Sequence, residues 1–359
     1  MAYSSITKPG DYFNTKLYTG TGATRSITGI GFQPDWIWTK GRSGTYSTES
    51  HKLYDAVRGT TKELRSDVDN GESTNSGGVT SFDSDGYGLG AGGGVNGAST
   101  EYVSWNWKAN GQGSANSDGT ITTTYTSANT TSGFSIIKYS GNATVGATIG
   151  HGLNSAPEFV FTKKLSASAN WQCWGSVIGN VYTINLNHNT AKTNPNGNYN
   201  NDTNPNSTVV TLGNDNDINQ NGEPYVMYCF HSVKGYSKIG TYTGNGNADG
   251  TFVYTGFKPA FLLVKRTDSS TGGSWILYDN KRGNNVFNPT DVVMAASNNQ
   301  SESDWGTNYD CDFLSNGIKW RYDGSAGYGN TSGATYIYMA FAENPLVANV
   351  SGGLPATAR

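Results

Sequence analysis

Short runs of apolar and polar residues, cut by Gly, Asn and Pro, fill this chain, and no stretch repeats apolar residues at helical spacing for three turns. The runs predict strands. FSIIKYSG (134–141) and YSKIGTYTG (236–244) are β-branched and aromatic and stop at Gly-Asn turns. WIWTK (36–40), FVFTKK (159–164) and FLLVKR (261–266) come just after a Pro, which fits a strand's start, where no ladder hydrogen bond is lost. Three further runs, 102–107, 225–230 and 336–341, alternate by twos. In the first, Tyr102, Ser104 and Asn106 face one way, and Val103, Trp105 and Trp107 the other. In the last, Tyr336, Tyr338 and Ala340 oppose Ile337, Met339 and Phe341. One apolar face and one mixed face predict a strand with a single core-facing side.

These elements recur in the same order three times. GFQPDWIWTK (31–40), GLNSAPEFVFTK (152–163) and GFKPAFLLVK (256–265) each place a Lys six positions after a Pro: Pro34/Lys40, Pro157/Lys163 and Pro259/Lys265. Upstream lie Tyr18-Thr19-Gly20, Tyr139-Ser140-Gly141 and Tyr242-Thr243-Gly244. Asn96, Asn219 and Asn330 each stand six residues before the Tyr that opens the closing strand. LYDAVRG (53–59) returns as LYDNKRG (277–283), whereas the second copy has CWGSVIGN (173–180). Internal repetition outranks any local motif as evidence of architecture. Copies of about 100–120 residues can each bury a core of their own.

The predicted fold class is therefore all-β, with three tandem antiparallel β-sandwich domains of lectin-like or jelly-roll-like form. Residues 1–111 are the first, with an N-terminal lead-in; 112–234 are a linker and the second; 235–345 are the third; 346–359 form a C-terminal tail. Within the polar segment 111–133, ITTTYT reads as an edge strand and the ends as linker, a length that allows reorientation. The junction near 234–235 is short and predicts a fixed relation. The middle of each copy diverges (65–82, 189–210 and 284–305), as loops on a fixed scaffold do, either for binding or as solvated or protein-contact surface.

Composition sharpens this picture. Gly at 48 residues and aromatics at 12% suit many short strands joined by tight turns, not disorder. A net charge of −3 gives no electrostatic reason to expect nucleic acid as a partner. The start MAYSSITKPG has no apolar h-region, and no apolar run reaches 18 residues, so neither a signal peptide nor membrane insertion is expected. Cys173, Cys229 and Cys311 lack zinc spacing and read as half-buried strand thiols, at least one of them unpaired.

Chemistry is harder to find. No GxSxG, HExxH, P-loop or Rossmann glycine pattern occurs. His51, His151, His188 and His231 do not recur at equivalent positions and read as turn or strand-edge residues. Asp83/Asp85, Asp215/Asp217 with Asn219, and Asp310/Asp312 could offer oxygens to calcium, but lack the EF-hand pattern; turn capping is the simpler reading. Lys40, Lys163 and Lys265 read as strand-end lysines that solvate a sheet edge. Arg58 and Arg282 are expected to pair with Asp55 and Asp279. Aromatics are mostly core, and only those on an outer strand face could stack on sugar rings. No catalytic, cofactor-binding or metal site is assigned, and no cofactor is expected.

Taken together, GFQPDWIWTK, HKLYDAVRG, EYVSWNWKANG, GYSKIGTYTGNGNADGTFVYTGFKPAFLLVK, TYIYMAFAENPL and the ending LPATAR resemble a tandem β-sandwich family of structural proteins of marine tailed bacteriophages. The resemblance covers nearly the whole chain and implies a virion component assembled in the host cytoplasm, with no catalytic or binding residue to carry over. The second copy departs from it by lacking LYDxxRG. The expected function is a non-enzymatic virion surface protein: a tail-fibre, head-fibre or capsid-decorating appendage that contributes to host attachment. Its expected partners are copies of itself, as a symmetric homo-oligomer, and other virion proteins. The alternatives are a host-glycan-binding adhesin and, behind it, a polysaccharide depolymerase.

Overall fold

The protein is all-β in a computed structural model that describes residues 4–283, 288–290, 292–304, 309–325, 327–347 and 355. Most of the expected tail, 346–359, and parts of the third divergent stretch lie outside the described residues. The first repeat contributes β1 (Phe13–Thr19), β2 (Arg25–Thr28), β3 (Trp36–Ser43), β4 (Lys52–Asp55), β5 (Lys62–Glu63), β6 (Ser73–Thr74), β7 (Val79–Asp83), β8 (Gly86–Leu89) and β9 (Glu101–Trp107). The second contributes β10 (Tyr125–Asn129), β11 (Phe134–Ser140), β12 (Thr148–Gly150), β13 (Phe159–Lys164), β14 (Gln172–Trp174), β15 (Ile184–Asn185), β16 (Val209–Thr211) and β17 (Pro224–Phe230). The third contributes β18 (Ser237–Thr243), β19 (Phe252–Tyr254), β20 (Phe257–Arg266), β21 (Ile276–Asp279), β22 (Val292–Ala295), β23 (Ser303–Asp304), β24 (Cys311–Leu314), β25 (Gly317–Trp320) and β26 (Thr335–Pro345). The helices are single turns, α1 (Gly93–Asn96) and α2 (Asn216–Asn219).

Each repeat lays a large antiparallel sheet against a small one. The large sheets run β1-β9-β3-β4, β10-β11-β17-β13-β14-β15 and β18-β26-β20-β21-β22-β23. The small ones are β2-β8-β7, β12-β16 and β19-β25-β24. The closing strand lies inside the large sheet, between β1 and β3, β11 and β13, or β18 and β20, the second of each pair carrying the Lys.

Strand periodicity then divides side chains between two cores. In β3, Ile37 points toward the small sheet and packs with Ile27, Val79, Tyr87 and Leu89. Trp36 and Trp38 point the other way, into a cluster shared by all three repeats. The same division holds in the second repeat, with Val160 local and Phe159 and Phe161 shared, and in the third, with Leu262 local and Phe261 and Leu263 shared. This corrects the single core-facing side expected of the closing strands: over residues 102–107, 225–230 and 336–342, both faces of β9, β17 and β26 are buried. The mixed face covers the local core, and the apolar face meets the other two repeats. Trp107, Phe230 and Phe341 occupy one register position, and the Phe341 ring lies 5.2 Å from Phe13, 5.6 Å from Trp107 and 6.2 Å from Phe230.

The divergent middles do more than cover surface. The backbone N–H of Glu72 donates to Leu165 O (2.8 Å), that of Lys192 to Thr267 O (2.9 Å) and that of Glu302 to Arg42 O (3.2 Å). Each acceptor stands two residues beyond the repeated Lys, so the first repeat holds the second, the second the third, and the third the first. The ring is closed. Nor does the 111–133 segment behave as a free linker: β10 pairs with β11, and Ile121 bridges Ile149 of β12 and enters the local core.

A shared core should make the three repeats unfold together. Calorimetry is expected to give one cooperative transition, and Phe341→Ala should destabilise all three repeats at once by about 3–5 kcal/mol. Three separable transitions, or a variant that loses only the third repeat, would contradict the shared core.

Candidate functional site

The residues that recur three times are spent on holding backbone. The stacked pairs Tyr18/Tyr102, Tyr139/Tyr225 and Tyr242/Tyr336 have ring centroids 5.2, 5.2 and 5.0 Å apart. The closing-strand hydroxyls accept from Gly97 N, Gln220 N and Thr331 N, and donate to Gly93 O, Asn216 O and Gly327 O. Beside them, buried Asn96 accepts from Thr21 N and donates to Ala23 O and Gly90 O. Asn219 accepts from Asn142 N and donates to Thr144 O and Gly213 O; Asn330 accepts from Asn245 N and donates to Asn247 O and Tyr322 O. The turn against each Asn needs Gly: a Cβ on Gly20, Gly141 or Gly244 would meet a carbonyl oxygen at 2.1, 2.4 or 2.2 Å.

Lys40, Lys163 and Lys265 do not solvate sheet edges; all three are buried. Lys163 Nζ donates to Asp69 O of the first repeat (3.0 Å), and Lys265 Nζ to Asn189 O (3.2 Å) and Thr190 O (2.8 Å) of the second. Lys40 Nζ donates to Gly41 O and Ser47 O in its own repeat. Burial lowers the first two ammonium groups to about 8 and Lys265 to about 7. Their place near a strand end was legible; the interior position of those strands, and the neighbouring repeat that covers Lys163 and Lys265, were not.

The Arg–Asp pairs form at 2.5 Å in full burial, Arg58 with Asp55 and Arg282 with Asp279. Each Arg also reaches a Glu on the segment gripping the next repeat, Glu72 at 3.2 Å and Glu302 at 3.3 Å. Tyr228 OH donates to Asp55 Oδ2 (2.6 Å) and Trp105 Nε1 to Asp279 Oδ2 (2.9 Å), both across repeat boundaries. Burial pushes the Asp279 carboxyl up, but the Arg282 guanidinium outweighs it and holds the group below its ordinary value. In the second repeat Gly175, Ile178 and Lys192 replace Asp, Arg and Glu, and in the third repeat Met339 stands at the position of Trp105 and Tyr228. A Cβ on Gly175 (φ +136°) would meet Glu158 O at 2.3 Å, so that backbone excludes Asp.

The other candidates also go to structure. His51 occupies the place of Trp171 and Trp275, whose indoles donate to Arg65 O and Asn185 O. His51 accepts from Trp38 Nε1 (2.9 Å), and the Ala295 carbonyl, the equivalent oxygen, lies beside its ring without closing a full hydrogen bond to Nε2. His151 bridges Leu153 N and Asn206 O, His188 touches Asn170 Oδ1, and His231 touches Ser232 O. Asp85 accepts from Gly29 N and Gly31 N, Asp215 caps α2 through Asp217 N, and Asp312 pairs with Arg321. Among the described residues no three His, Cys, Asp or Glu side chains gather as a metal site. The cysteines are unpaired and fully buried, not half-buried.

A groove of about 430 Å³ in the third repeat is open to solvent. Ser237 and Lys238 of β18, Tyr254 of β19, and Ser232, Lys234 and Thr255 beside them line it. Tyr254 is 54% exposed and Phe252, on the same face of β19, 44%. Val253 between them is buried, as are its counterparts Ile27 and Ile149. The flanking positions are Ser26 and Thr28 in the first repeat and Thr148 and Gly150 in the second. Comparing the repeats strand by strand would have singled out Phe252 and Tyr254. The groove wall thus combines hydroxyls, two lysines and the Tyr254 ring, with Phe252 exposed further along the same strand.

Removing one partner of a buried pair leaves the other charge uncompensated. Arg282→Ala should therefore cost about 3–5 kcal/mol in denaturant unfolding, and a loss below 1 kcal/mol would show that Asp279 needs no partner. The three lysines titrate lower folded than unfolded, so between their folded values and about 10.4 the unfolded chain binds more protons. Stability should rise with pH across that window, until the buried tyrosines, raised above 10, reverse the trend. Melting curves at about pH 7 and about pH 9.5 should show the rise, and Lys265→Met should shrink it.

No curated protein and no solved structure matches the chain. The family model described as Domain of unknown function (DUF7483) matches residues 8–345, a span that takes in all three repeats as one unit. A match of that extent places the chain in a family: it belongs to Domain of unknown function (DUF7483).

Proposed function

We propose that this chain is a non-enzymatic bacteriophage virion surface protein, carried as a tail-fibre, head-fibre or capsid-decorating appendage and contributing to host attachment. Each repeat is read as a lectin-like or jelly-roll-like β-sandwich, and the three form one rigid body. The observation that carries this reading is the use made of the repeated polar residues. Asn96, Asn219 and Asn330, the closing tyrosines, and Lys40, Lys163 and Lys265 all lie in buried bonds to backbone. Selection for shape accounts for such repetition, and a reaction centre does not. The resemblance to virion proteins of tailed phages supports the setting. Without a coiled-coil stalk in the sequence, oligomers would form through sheet faces or edges.

Gold-labelled antibody against this chain should decorate intact particles at regular positions. Label confined to unassembled material in infected cells would remove the virion reading. Light scattering on the purified protein should report a symmetric homo-oligomer, and a clean monomer at high concentration would count against display as an oligomeric fibre.

A further inference from the structure

The three joints of the ring are not built alike, and the odd one is where the third repeat grips the first. At the other two a buried indole donates to the crossing segment, Trp171 to Arg65 O and Trp275 to Asn185 O. The repeated Lys does the same, Lys163 to Asp69 O and Lys265 to Asn189 O and Thr190 O. At the third joint His51 stands in place of the indole, and Lys40 bonds Gly41 O and Ser47 O of its own repeat. Two residues beyond the Lys, where the other joints have Leu165 and Thr267, Arg42 holds Glu302 of the crossing segment through two bonds of 2.9 and 2.8 Å. Ser66 Oγ donates to Ala296 O (2.7 Å) beside them. The first and third repeats are also the pair that are not consecutive in the chain.

We propose that this joint is an acid-sensitive latch: below about pH 6, a proton taken up by His51 releases the segment 292–303 from the first repeat while the other two joints hold. His51 is fully buried, and Trp38 Nε1 donates to its Nδ1 at 2.9 Å. The single hydrogen of the neutral ring therefore sits on Nε2, toward Ala295 O of β22. A second proton has to enter at Nδ1, where another donor already points. The flat face of the ring offers no relief, since it stacks on the Trp105 indole at 6.5 Å. Among the described residues the charges acting on the ring are Lys40 of β3 and Arg282 after β21, both cations. Burial first, and then these cations, hold the imidazole well below its ordinary value. The surrounding carboxylates are committed elsewhere: Glu49 and Glu63 to Lys52, Asp279 to Arg282, and Glu302 to Arg282 and Arg42. Asp67, near Lys40, is raised by burial, so its protonation favours the closed form and opposes His51. Once the segment lifts, His51 titrates near about 6.5, and the opening equilibrium grows about a hundredfold between about pH 7.5 and about pH 4.5. The inference holds whether or not the chain is displayed on a particle.

Hydrogen exchange on the full chain tests this, read by mass spectrometry over the three crossing segments, 66–75, 186–193 and 292–303, and corrected for the intrinsic pH dependence of exchange. Between about pH 7.5 and about pH 4.5, opening of 292–303 should grow about a hundredfold, and that of the other two segments less than about threefold. His51→Asn keeps an acceptor for Trp38 Nε1 but cannot titrate, so it should flatten the response of 292–303. Trp38→Phe removes the donor that blocks Nδ1 and should shrink the response whatever it costs in overall stability, because protonation then no longer requires opening. Three outcomes would overturn the proposal. Equal loss of protection at all three joints makes acid unfolding global, an acid-insensitive 292–303 leaves no latch, and an undiminished response in both variants makes a carboxylate the sensor.

Discussion

Trp107, Phe230 and Phe341 end the apolar faces of their strands at equivalent positions, in one cluster with Trp36 and Phe13. Each large sheet therefore has to bury both faces, one against its own small sheet and one against the two other large sheets. Much else follows. The segments after β4, β14 and β21 have to reach across to a neighbour, because the rims of the shared core would otherwise be wet. Lys163 and Lys265 have to be covered, because the neighbour's segment passes over the strand end they occupy. A buried ammonium is tolerable there because carbonyls accept its hydrogen bonds, from the crossing segment and, for Lys163, from its own repeat as well.

Much of this was legible at the level of the single repeat. Pro34 and Pro157 precede core strands, whereas Pro259 lies inside β20 at a break in its register; ITTTYT overlaps the start of an edge strand, and both Arg–Asp pairs form. What escaped the sequence is everything that depends on three repeats meeting. Alternation in β9 shows that Val103, Trp105 and Trp107 share a face, but not that this face meets Phe230 and Phe341 instead of water or its own small sheet. The signal lay in bulk: three of the nine tryptophans lie within Trp36–Trp38 and Trp105, more than a core of one repeat could absorb, and Trp107 adds a fourth. The aromatic ledge on β19 escaped for a different reason. It is visible only as a difference among repeats, and similarity is what identified the repeats.

The flank between β18 and β19 illustrates how little sequence is needed to change what a shared scaffold offers. The segment before the second repeat supplies β10 and Ile121, whereas among the described residues a shorter stretch, Ser232 and Val233, bonds to the start of β18 after a short junction. With the scaffold otherwise alike, one repeat has a closed flank and its neighbour a lined groove bearing Lys234, Lys238 and Tyr254.

The Gly175–Ile178–Lys192 exception has a consequence for how the ring can close. Trp105 and Tyr228 bring a donor to a waiting carboxylate, and Met339, with neither donor nor acceptor to satisfy, belongs to the side that has none. Dock the repeats in the opposite sense and the Trp105 indole N–H lands on Ile178 while Asp55 faces Met339 and loses its donor, a mistake that desolvates polar groups for nothing. Near-identical building blocks thus tell left from right through a single mismatched joint, and the chain encodes the handedness of its own circle.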